Sequence, residues 1–232
     1  MSTYSESRPA TVSAVGAESR SLFITRTYSH LMVAIAAFIG IEVFLFKGGL
    51  AQPIAKAMLS TSWLLVLGGF VLVSWLARKV AHSAATTPLQ YLALGGYVVA
   101  QAIIFVPLLF LANYHAPGTI ASAAVITAFG FCGLSAVVFI TRKDFSFMRG
   151  ILFWGGIVAL LAIVGGAIFG FELGTYFSVA MVALAGGAIL YDTSNILHHY
   201  PEDRYVAASL ELFASVALMF WYVLRLLLGS RR

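Results

Sequence analysis

A chain of 232 residues with 61% hydrophobic and only 10% charged residues cannot clothe a water-soluble globule, where about a quarter of residues carry charge. Its mean hydropathy of +0.95 points to a bilayer as the solvent. The net charge of +5 is scattered, with no basic patch interleaved with aromatics, which leaves nucleic-acid binding without a footing.

The first 20 residues are rich in Ser, Ala and Thr and contain no apolar run of the ~7–15 residues that a cleavable signal requires. They are expected to form a disordered cytoplasmic tail, with residues 21–232 as a single transmembrane domain. A spanning helix needs about 20 mostly apolar residues. Seven stretches qualify, at roughly 30–46, 61–77, 89–113, 118–141, 149–170, 173–197 and 206–228. The expected fold is an all-α bundle of seven transmembrane helices, the seventh central.

The breaks support these limits. Lys47-Gly48-Gly49 closes the first span, Arg78-Lys79 the second, and Pro88 precedes the third. His115 to Gly118 separates the third from the fourth, and Arg142-Lys143-Asp144 ends the fourth. The short interval from Gly170 to Gly174 predicts a tight hairpin between the fifth and sixth. Trp63 and Trp75 stand where interfacial anchors of the second span belong. Gly166 and Gly170 form a GxxxG step, Gly95-Gly96 and Gly186-Gly187 sit within spans, and all are small residues suited to close packing in the bundle. Cys132, the lone cysteine, excludes an intrachain disulfide and reads as a small packing residue.

Lys and Arg concentrate on the cytoplasmic side of membrane proteins. A cytoplasmic N-terminus puts nine of the 14 there: Arg8, Arg20, Arg26, Arg78, Lys79, Arg142, Lys143, Arg149 and Arg204. Lys47, Lys56, Arg225, Arg231 and Arg232 fall outside, provided that the seventh span crosses fully. The expected placement is that of a multi-pass membrane protein with a cytoplasmic N-terminus, with the lipid bilayer itself as the first partner.

Charge within hydrocarbon carries the functional signal, because an Asp at the centre of a spanning helix costs about 2.5–3.5 kcal/mol on insertion scales. Glu42, Asp192, Glu211 and Arg225 are the candidates. Glu42 and Arg225 lie near span ends and are expected to reach water. Asp192 and Glu211 stand at similar depth on consecutive antiparallel spans, each about five residues from the connecting loop. Sharing a site, they would form a proton-sensitive element or hold a cation transiently, and Ser215, one turn deeper than Glu211, would extend the polar path. Alternatively, Asp192 pairs with Arg78 or Lys79 and simply locks the bundle. His198 and His199 read as an interfacial loop beside Glu202 and Asp203. No HExxH, P-loop or GxSxG motif is present, so enzymatic hydrolysis, nucleotide use and cofactor binding lack a supporting motif.

The run GGAILYDTSNILHH (residues 186–199) resembles the sixth-helix signature of the Bax inhibitor-1/YccA family. SAVVFITRKDFSFMRG (residues 135–150) resembles that family's fourth helix and the loop after it. The resemblance implies two kinds of function. In pH-sensitive calcium leak channels of the family, an aspartate of the sixth helix pairs with one of the seventh, and an arginine of the second contributes to the gate. Asp192 matches the first and Arg78 the arginine. The second aspartate position falls on Ser215, a departure that leaves Glu211, one turn earlier, to supply the carboxylate. Members nearest YccA are modulators of the membrane protease FtsH, acting with HflK and HflC, and residues 1–20 resemble a handle for such a protease.

Overall fold

The computed structural model describes residues 11–12, 16–83 and 86–230. Eight helices follow in chain order: α1 (Ala17–Lys47), α2 (Ala51–Ser60), α3 (Trp63–Ser83), α4 (Thr87–His115), α5 (Thr119–Thr141), α6 (Met148–Phe169), α7 (Thr175–His198) and α8 (Tyr205–Gly229). All but α2 are long and apolar enough to cross a membrane. Helices are the expected solution, since hydrocarbon offers no partner for a free backbone N–H or C=O.

Burial sorts the spans. In the most apolar window of α4, 56% of residues are buried inside the protein, and in that of α8, 50%; in α3 and α6 the share is 6%. The first two are therefore the axis of the bundle, and the last two lie at its periphery, α3 against α4 and α8 and α6 against α7. The central place of α8 is explicit in its contacts with α1, α3, α4, α5 and α7. Aromatic packing fills the centre: the Phe105 ring meets Trp221 edge-on at 4.9 Å and stacks on Phe220 at 5.6 Å, while Phe38 closes on Phe105 at 5.2 Å.

Several local expectations are corrected. α1 starts at Ala17, well before residue 30, so the end of the expected tail is helical. Val12 is fully buried, its N–H donating to the Tyr200 carbonyl at 2.9 Å, and Arg20 Nε donates back to the Val12 carbonyl at 3.1 Å. Residues 1–10 and 13–15 of the expected tail lie outside the described residues. Pro88 lies within the first turn of α4, where a missing N–H breaks no helical bond.

The GxxxG step does not join two helices. Gly170 caps α6 in the left-handed region at φ +73, and Gly166 lies against the backbone of Phe171. Close approach occurs instead at Gly186-Gly187. A Cβ on Gly187 would stand 3.0 Å from Met148 Cε, and one on Gly186 3.3 Å from Leu134 Cδ1, so α5 and α6 close on α7 there. Cys132 is exposed on α5 rather than packed, because α5 turns that face outward. Trp63 belongs to the core, its ring stacked on Trp221 at 6.4 Å, whereas Trp75 is exposed beneath Lys79 Nζ at 4.9 Å.

Candidate functional site

The polar centre lies where α3, α7 and α8 meet near the α7–α8 loop. Asp192 of α7 is 9% exposed, and Ser215 of α8 donates from Oγ to its Oδ2 at 2.6 Å. Ser215 is itself 7% exposed, so the contact is closed to solvent. Counting residues from the loop pairs Asp192 with Glu211, yet the direct partner is one turn deeper. Side chains lean toward the N-terminus of their own helix. On α7 this carries Asp192 toward the membrane centre, and on antiparallel α8 it carries Ser215 and Glu211 toward the loop.

Glu211 accordingly reaches α3. Its Oε2 lies 2.6 Å from Arg78 Nη1, and its Oε1 accepts from His82 Nε2 at 3.0 Å. Arg78 and His82 are four residues apart on α3 and grip the carboxylate together. The Glu211 side chain is 14% exposed, against 46% for Arg78 and 44% for His82, so water reaches the basic side of the pair first. The charges of Glu211, Arg78 and His82 all act on Asp192. Asp192 does not pair with Arg78 or Lys79: the first is taken by Glu211, and the second covers Trp75. The His82 ring stacks on Tyr200 at 6.0 Å, and burial pushes the Tyr200 hydroxyl well above its usual value.

Of the residues expected at this site, Asp192, Ser215, Glu211 and Arg78 are brought together; His82 was not anticipated. Its sequence signal was its position one turn after Arg78, on the same helical face. Also unforeseen was the link between the loop at residues 142–147 and α7. The Phe145 N–H donates to Ser194 Oγ at 2.9 Å, and Asp144 Oδ2 accepts from His199 Nε2 at 2.9 Å. The Ser146 N–H donates to Asp144 Oδ1 at 2.8 Å; together with His199 it holds this carboxyl below its usual range. The TRKDFSF and YDTSNI elements thus bind each other directly. His199 is part of an ion pair, not of an unstructured interface.

At the opposite end a cavity of about 880 Å³ opens between α3, α4, α6, α7 and α8, reaching Ser178 and bordered by Trp63, Phe171 and Arg225. Ser178 and Asp192 are about 21 Å apart along α7, at 1.5 Å per residue. Met181, Ala185 and Ile189 in that interval are buried, so the cavity and the carboxylate are separated by packed side chains. Arg225 does not snorkel free: it donates from Nη2 to the Leu173 carbonyl at 2.7 Å, at the cavity wall.

Glu42 also departs from expectation. It is 7% exposed, and neither carboxylate oxygen has a hydrogen-bond partner among the described residues. The reason is α2, whose Ala51 and Ala55 pack with Leu45 and Val106 and close over this part of α1. No group of three His, Cys, Asp or Glu side chains converges to hold a metal among the described residues.

Seven hydrophobic helices around a buried carboxyl, with a second carboxylate held by an arginine and a histidine, define a multi-pass integral membrane protein with a polar site inside one end. Residues 20–232 match the family model described as inhibitor of apoptosis-promoting Bax1, and the chain belongs to this Bax inhibitor-1 family. It is similar to the uncharacterized protein PA2604 of Pseudomonas aeruginosa, 32% identical over 166 residues that make up 69% of this chain and 72% of the relative. It is also similar to the modulator of FtsH protease YccA of Escherichia coli K12, 37% identical over 109 residues. That match spans 47% of this chain and 49% of YccA. The same figures hold for the inner membrane protein YccA of E. coli O6:H1.

Proposed function

We propose that the protein modulates an FtsH-type membrane protease and that its bundle carries a pH-sensitive cation leak gated at Asp192. The first part rests on the similarity to YccA, which spans about half of each chain. The second rests on one observation. A carboxyl closed off in the bundle is held by a single serine hydroxyl, beside an ion pair that includes a histidine.

The gate works by exchange of partners. In the closed arrangement Ser215 occupies Asp192, while Arg78 and His82 occupy Glu211. Ionisable side chains from α3, α7 and α8 gather in this one centre, so a pH response of the leak would originate there. Loosening Glu211 would let its carboxylate swing toward Asp192 and give a cation two ligands. Conduction further requires Met181, Ala185 and Ile189 to part, joining the site to the outer cavity.

The two parts are tested separately. The leak predicts flux through reconstituted protein that Asp192→Asn changes; unchanged pH dependence in that variant would defeat the gate. The protease reading predicts that HflK, HflC and an FtsH-type protease co-purify with the protein. It also predicts that removing residues 1–10 slows the protein's own turnover. This truncation leaves the buried Val12 and the α1 start in place, which removal of residues 1–20 would not. If half-life and co-purification both stay unchanged, the handle is not there.

A further inference from the structure

A second polar recess lies apart from the Asp192 site, at the start of α1 and the ends of α5 and α7. It is a cleft of about 430 Å³, within the size range of small-ligand sites. Arg20 and Ser21 come from the first turns of α1, Arg142 from the end of α5, and His198 from the end of α7. Ile24, Phe139 and Leu197 complete an apolar wall, one residue from each helix. Among the described residues no carboxylate lines the cleft. Glu18 follows the lining residue Ala17, and Asp144, two residues after Arg142, is held by the Ser146 N–H and by His199.

Arg142 stands out in its backbone as well. It caps α5 with φ +51, and among the described residues it is the only non-glycine at positive φ. Glycine is the usual occupant of such a cap, and an L side chain there costs about 1–2 kcal/mol. The position therefore gives up stability to keep a guanidinium at the cleft. It also forms no ion pair among the described residues.

We infer that this cleft binds the head group of an anionic phospholipid from the adjacent leaflet, with Arg142 as its anion-binding residue and Arg20, whose Nε is held by the Val12 carbonyl, adding positive charge beside it. Guanidinium groups match phosphate oxygens in bidentate fashion. Basic pockets between membrane helices on the cytoplasmic side suit anionic head groups in general. The apolar wall selects an amphiphile over a free anion, because Ile24, Phe139 and Leu197 offer an acyl chain a surface that inorganic phosphate cannot use. The cleft also joins α1 to both elements that carry the family resemblance, so an occupied site would brace the loop at residues 142–147 against α7. The inference is independent of the leak and of the protease reading.

The test is native mass spectrometry of the full-length protein in non-ionic detergent, titrated with phosphatidylglycerol and with phosphatidylcholine of identical chains. The expected result is a preference for phosphatidylglycerol of about fivefold, as one basic residue near a membrane surface supplies. Arg142→Gly should reduce that preference several-fold while raising thermal stability, since glycine relieves the backbone; loss of binding then cannot come from misfolding. Arg149→Gln, at the same end but outside the cleft, should keep the preference. Equal binding of the two lipids by the wild type, or a preference that survives in Arg142→Gly, would overturn the assignment. Displacement of the lipid by millimolar inorganic phosphate would also overturn it, in favour of a free-anion site.

Discussion

Replacing Ser215 with Ala removes one hydroxyl and leaves the Asp192 carboxyl without its partner. The contact is 2.6 Å long, and both residues are at least nine-tenths buried, so water cannot take the donor's place. Leaving a buried acceptor unsatisfied costs about 1–3 kcal/mol. In a domain of this size each kcal/mol lowers the thermal midpoint by about 2–4 °C, so Ser215→Ala should melt several degrees early in detergent. Packing contributes little to the loss, since only an oxygen is removed. A double-mutant cycle with Asp192→Leu isolates the pair, because leucine is similar in volume and accepts no hydrogen bond. The account predicts that Ser215→Ala costs clearly more in the wild-type background than in Asp192→Leu. Equal costs in both backgrounds would mean that the carboxyl derives no stability from the hydroxyl, and the geometry assigned to the gate would be wrong.

Glu211→Gln should weaken the hold of α3 on α8 by about 1 kcal/mol, discounted because Arg78 and His82 are nearly half exposed, and should flatten the pH dependence of any flux. Arg225→Gln should raise cation flux a few-fold, because a positive charge about 10 Å from a passing ion opposes it by about 1–2 kcal/mol at an effective dielectric of 20; unchanged flux would remove Arg225 from the path. Asp144 has its carboxyl pKa lowered by folding, so its contribution is present above the unfolded value and fades as pH falls through the folded one. Thermal melts should therefore show Asp144→Asn closing on the wild type below about pH 4, with a difference under 1 kcal/mol at neutrality for so exposed a pair. Gly187→Leu should cost about 1–3 kcal/mol by forcing α7 from α6, while Gly187→Ala costs less because the Met148 tip can swing aside; a Leu variant as stable as wild type would deny the close approach.

The spans were legible because twenty apolar residues in a row have one physical use, and most of the breaks between them fall at the helix ends, although α3 runs past Arg78-Lys79 to Ser83. α2 was not, since its ten residues are too few to cross and carry no strong apolar run. Its absence from the expectation led directly to the error on Glu42, which α2 helps to bury. At the site, Asp192 and Glu211 stood out as charges out of place, residue counting from the loop gave their depth, and the family resemblance added Arg78. Counting could not give their partners. Helices apolar on every side carry no periodic stripe to say which face meets which neighbour. The grip of His82 on Glu211 and the contact of Asp144 with His199 both depend on that missing information. The glycines show the same limit: of the three pairs expected to pack closely, Gly186-Gly187 does so and Gly95-Gly96 does not, and the tightest approach, Gly155 against Leu184, was not named.

Cation flux into liposomes carrying the purified protein, measured with calcium at about pH 6 and about pH 8 beside Asp192→Asn, tests the gate most directly, since the variant removes the buried carboxyl and keeps its shape. The account predicts flux that differs between the two conditions in the wild type and loses that difference in the variant. Flux no greater than that of empty liposomes at either pH, or the same pH dependence in both proteins, would contradict it.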